Sequence, residues 1–115
     1  MSALNQFGAV FSFAIDMETQ IAAYYEALGD SVRAAAADKR REKLERTRRE
    51  QVLEITLEPI EGLDGDDFAL DTGDTSAAGQ AAVAKTAAAF YAAAAPKINV
   101  RQAQRILERC GREYE

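Results

Sequence analysis

Apolar residues along the first quarter of the chain return at helical spacing. Phe7, Val10, Ala14, Met17, Ile21, Tyr24 and Leu28 are separated by threes and fours, the stripe of an amphipathic helix. Phe11, Ile15, Ala22 and Tyr25 widen it. The pattern predicts a first helix over residues 5–28, stopped by Gly29. Asp30 or Ser31 can cap a second helix over 31–58, since Pro59 disfavours helical geometry in the residue before it. That helix is polar in its middle, and only Ala37, Leu44, Thr47, Val52 and Ile55 suggest an inward face. Residues 60–75 read as an acidic loop. Thr75 or Ser76 then caps a third helix over 76–95, carrying Val83, Ala87, Phe90 and Ala94 and ended by Pro96. Asn99 caps a fourth over 100–115, with Val100, Ala103, Leu107, Cys110 and Tyr114 on one stripe.

Composition strengthens the helical reading. Alanine, the best helix former, occurs 24 times among 115 residues, and there are two prolines. Four helices joined by two short connections and one longer one predict an all-α, single-domain up-down four-helix bundle spanning 1–115: a hairpin over 5–58, the acidic loop, and a hairpin over 76–115. The two hairpins echo each other. Leu44–Glu50 (LERTRRE) matches Leu107–Glu113 (LERCGRE) at five of seven positions, and Ile21–Ala27 (IAAYYEA) parallels Ala87–Ala93 (AAAFYAA).

Missing residue types exclude chemistry. With no histidine there is no Ser-His-Asp triad, His-ligated zinc or proximal-His haem, and the lone Cys110 excludes an intrachain disulfide or multi-cysteine cluster. No stretch of 18 apolar residues or secretory leader is evident, so a cytoplasmic protein without a membrane partner is expected. Eight of the fourteen basic residues fall between Arg33 and Arg49, but Asp38, Glu42 and Glu45 interleave, the net charge is −5 and no aromatic residues accompany them. A solvated or salt-bridged helix face is expected there, not a nucleic-acid interface. Residues 50–74 hold nine acidic residues and no basic one. Phe68 breaks the calcium-loop spacing begun by Asp64 and Asp66. Basic and acidic halves invite pairing with a second copy, so a homodimer is expected.

One segment resembles a known family. Ala14-Ile15-Asp16-Met17-Glu18, followed by Tyr24-Tyr25, resembles the first helix of rubrerythrin-like members of the ferritin-like superfamily. The resemblance implies a ferritin-like bundle with a di-iron site, to which Glu18 on the first helix and Glu50 on the second would contribute as ligands. Glu113 is the matching position on the fourth helix, and Glu54 a weaker candidate. Leu53 stands where the family's second-helix histidine belongs, and Ala84 where its third-helix glutamate belongs. Glu18 lies on a mostly apolar face, and an unpaired buried carboxylate costs several kcal/mol. A metal such as Fe or Mn, an arginine of the second helix, or exposure at the stripe's margin would each satisfy it. Arginines invading the family's metal pocket would replace the iron's positive charge. Three functions follow. The first is a ferritin-like bundle with a degenerate di-iron site, no cofactor and a non-enzymatic binding or structural role, with no catalytic residue. The second is a carboxylate-only Fe/Mn protein oxidising or storing iron, its site shared across a dimer. The third is a helical dimerisation module. Tyr24, Tyr25, Phe90, Tyr91 and Cys110 are read as core.

Overall fold

The computed structural model describes residues 4–50 and 60–115. Its architecture is all-helical: α1 (Phe7–Ala27), α2 (Ser31–Glu50), α3 (Ala77–Ala94) and α4 (Arg101–Arg112), with short 3₁₀ turns at Gly65–Phe68 and Ala95–Lys97. The expected continuation of the second helix to residue 58, with Val52, Glu54 and Ile55, lies outside the described residues.

The boundaries have local causes. Gly29 ends α1 with φ +78°, a conformation that penalises a Cβ. Asp30 N–H bonds the Tyr25 carbonyl at 2.9 Å and Gly29 N–H that of Glu26 at 3.0 Å, which satisfies carbonyls the helix end leaves open. The Asp30 side chain then accepts from Arg33 N–H at 3.0 Å and caps α2. Ser76 caps α3 by accepting from Gly79 N–H at 3.1 Å. α4 begins at Arg101, one residue later than expected. Val100, in extended conformation, precedes it and has no side-chain acceptor to offer.

α1 packs along α2, α3 along α4, α2 against α4, and α1 against α3. The expected alternation of direction does not hold. The ring of Phe13, early in α1, meets that of Phe90, late in α3, at 4.8 Å, and Tyr24, late in α1, donates to the Asp74 carbonyl just before α3. α1 and α3 are therefore antiparallel, α2 and α3 point the same way, and the order is up, down, down, up. The acidic connection makes this possible by running the length of the molecule. Ile60 N–H bonds the Asn5 carbonyl at one end, the Phe68 ring rests on Phe90 midway, and Asp74 reaches Tyr24 at the other. Its aspartates 66, 67, 71 and 74 are exposed as expected, but Leu63 is buried and Phe68 and Leu70 pack on the core, so the segment is fastened rather than free.

The core joins Phe7, Val10, Phe11, Met17 and Ile21 of α1 to Leu44 of α2, Val83, Phe90 and Tyr91 of α3, and Leu107 of α4. The two hairpins use corresponding positions. Met17, Ile21, Tyr24 and Tyr25 are buried, as are Val83, Ala87, Phe90 and Tyr91 sixty-six residues on; Leu44 and Thr47 are matched by Leu107 and Cys110. Ser76→Ala removes the α3 cap, and chemical denaturation is expected to show a loss of about 1 kcal/mol.

Candidate functional site: a buried arginine held by two carboxylates

α2 buries Ala34, Ala37, Arg40, Leu44 and Thr47, and Arg40 occupies the stripe position between Ala37 and Leu44. Its side chain is 6% exposed and faces Glu18 of α1, whose side chain is 0% exposed. Arg40 Nε donates to Glu18 Oε1 at 3.0 Å, Nη1 to Glu113 Oε1 at 2.9 Å and Nη2 to the Tyr114 hydroxyl at 2.7 Å. The guanidinium also lies over the Tyr114 ring, 4.2 Å from its centroid.

Glu18 is enclosed by donors. Tyr114 donates to Oε1 and Tyr91 to Oε2, both at 2.5 Å. Every partner of Glu18 gives a hydrogen, the environment of an ionised carboxylate. The two tyrosine rings stack, with centroids 6.2 Å apart and planes 15° apart. Tyr91 gains its place from Gly111, where a Cβ would stand 2.9 Å from the Tyr91 Cβ. Burial pushes Glu18 above the usual carboxylate range, while Arg40 and the two tyrosine hydroxyls pull it back. Burial and the nearby Glu18 charge push Tyr91 and Tyr114 upward as well. Cys110, 1% exposed, is pushed up to about 12 by burial and the same carboxylate, which makes it a poor nucleophile.

Of the residues expected at a metal site, Glu18 and Glu113 are brought together, both on Arg40. Glu50 is exposed ten residues further along α2, about 15 Å away by helical rise. Glu54 lies outside the described residues. Among the described residues no three acidic or cysteine side chains gather as a metal site. These positions do not fit a di-iron centre: the Glu18 oxygens face an arginine and two tyrosines, and the central space holds a guanidinium. The arginine expected as one partner of Glu18 is Arg40. The sequence had not marked Arg40 individually, although its place in the 37–40–44–47 spacing was the available signal. The hydroxyl roles of Tyr91 and Tyr114 had no sequence signal beyond their stripe positions.

No family of known proteins, no curated protein and no solved structure matches this chain.

Arg40→Met leaves Glu18 charged in the interior and is expected to cost about 3–5 kcal/mol. Glu18→Met with Arg40→Met is expected to recover most of this, short by about 1–3 kcal/mol for the tyrosine hydroxyls left without partners. Denaturation of the three proteins checks both statements. Because the Glu18 pKa is raised on folding, its contribution is fully present below the unfolded value and is lost as pH rises through the folded value. The stability of the wild type relative to Glu18→Gln should therefore fall as pH rises through that window and level off above it, measured by urea melts at successive pH values.

Proposed function

We propose that this chain is a ferritin-like, rubrerythrin-like bundle in which an arginine holds the place of the metal centre, and that it works as a non-enzymatic binding or structural protein. The observation that carries the reading is the Arg40 guanidinium, bonded at once to Glu18 and Glu113, two positions that the family resemblance assigns to metal ligation. A guanidinium supplies fixed positive charge and directional donors to carboxylates, but offers no open coordination position and no redox change. Two further features support it. A single long connection crosses from the second to the third helix, the ferritin-like order. Corresponding buried positions recur in both hairpins, as a duplicated hairpin requires.

The test is metal uptake. After incubation with Fe(II) or Mn(II) and desalting, the wild type is expected to retain no stoichiometric metal and to show an unchanged Tm. Near-stoichiometric metal that disappears in Glu18→Gln would overturn the proposal in favour of carboxylate-only iron or manganese chemistry.

We further propose a homodimer. Lys39, Arg46, Arg48 and Arg49 are exposed along α2, while Asp66, Asp67, Asp71 and Asp74 are exposed on the acidic connection. The two sets offer complementary charge to a second copy. No described helix is long and apolar enough to cross a membrane. Light scattering at low salt is expected to give twice the chain mass, falling toward the monomer at high salt as screening weakens the contact; a monomer at both would exclude it.

A further inference from the structure

Spacings of three and four put Phe13, Asp16, Met17 and Gln20 on one side of α1. That side faces the acidic connection, and the two enclose a cleft of about 330 Å³, at the lower end of the size range of small-molecule sites. The connection is fastened on either side of the cleft, by Leu4 N–H on the Leu63 carbonyl at 2.9 Å and by the Tyr24 hydroxyl on the Asp74 carbonyl at 2.7 Å. Between these anchors it brings small residues, Gly65 and Ala69, to the cleft, and so does not close against α1. Asp16 and Glu18 are two residues apart, about 200° around the helix, so the cleft and the buried carboxylate lie on opposite sides of α1.

The cleft is apolar at its base and negative at its rim. Met17 is buried, Phe13, Phe68 and Leu70 are half-buried, and Asp16 and Asp66 are exposed, one from each wall. No lysine or arginine lines it. Neither aspartate forms an ion pair among the described residues. Arg48 and Arg49 line a separate groove that shares Asp16, with Glu45 beside them, and neither pairs with it. Asp64 and Asp67 flank Asp66 and add to the negative side. The Phe13 and Phe68 rings each rest on Phe90, with centroids 4.8 and 5.5 Å away, and no cation lies over either; the described guanidinium–ring contacts are at Tyr25 and Tyr114. A hard metal ion takes about six or more oxygens, and no third acidic or cysteine side chain gathers with these two among the described residues. An anion would be repelled, and a neutral apolar body would leave the carboxylates uncompensated. A flat cation with forked N–H donors answers both parts of the cleft, since it bonds carboxylates and stacks on rings.

We propose that the cleft between α1 and the acidic connection binds a small organic cation of the amidine or guanidine class, its charged group at Asp16 and Asp66 and its apolar body against Phe13 and Phe68. The site is independent of the arginine-centred cluster: metal uptake bears on that reading, amidine binding on this one.

Benzamidine serves as the probe, with benzamide and benzoate as bodies of the same shape carrying no charge and the opposite charge. Titration of the isotope-labelled protein is expected to move the backbone amide signals of Gln20, Gly65 and Ala69 saturably with benzamidine, weakly with benzamide and not with benzoate. Asp16→Asn and Asp66→Asn, both at exposed positions, are each expected to weaken benzamidine binding severalfold at unchanged Tm, and the two together about tenfold or more, the scale of charge-assisted hydrogen bonds. Asp67→Asn removes the same charge from the neighbouring residue, which does not line the cleft, and is expected to change binding far less. No saturable shift with benzamidine, or benzoate moving the same signals as strongly, would overturn the assignment. So would Asp67→Asn weakening binding as much as Asp66→Asn, the mark of diffuse attraction to the acidic connection.

Discussion

A negative charge sealed away from water is the constraint around which this molecule is arranged. Glu18 is wholly enclosed, and an isolated carboxylate there would stand too high in free energy for a small domain to tolerate. Its neutralisation takes one arginine from α2, one tyrosine from α3 and one tyrosine from beyond α4. Each of the other helices, or the residues following it, thus brings a donor to one point on α1. That convergence gives the packing a specified register, which alanine surfaces alone would leave loosely defined.

The alanine content and the aromatic residues are two sides of one packing solution. α3 is built largely of alanine and contributes few large side chains of its own. The volume is filled by rings that touch in sequence. Phe13 and Phe68 both meet Phe90, Phe90 meets Tyr91, and Tyr91 stacks on Tyr114. Small residues let the helices approach, and the rings supply contact area and, through two hydroxyls, the polar partners that Glu18 requires.

Periodicity made the helices legible because it reports burial directly: the α1 stripe from Phe7 to Tyr24 is buried at each position that the spacing selects. Glu18 stood out for the same reason, as a charge on an apolar face. Its partners were harder to read. Arg40 is one of eight basic residues in a segment where most are solvated, and only three-dimensional packing separates it from Arg41 or Arg46. Tyr91 and Tyr114 look like core residues, and they are; their hydroxyls acquire meaning only when α1 lies opposite. Chain direction was not legible either, since the acidic connection reads as a loop whether it turns tightly or runs the length of the domain. Leu63, Phe68 and Leu70 were the residues able to fasten it.

The spacing of these partners along the chain sets an order in time. Glu18 and Arg40 are 22 residues apart, on adjoining helices of one hairpin, and meet through a short closure. Tyr91 lies 73 residues from Glu18, and Tyr114 lies 96. Loop closure grows costlier with separation, and distant contacts slow folding. The first hairpin forms with Glu18 paired to Arg40 but short of its two hydroxyl donors, which arrive only with the second hairpin. Until then the α1–α2 pair carries an open polar face, so final consolidation of the domain waits for Tyr91 and Tyr114 to close over Glu18.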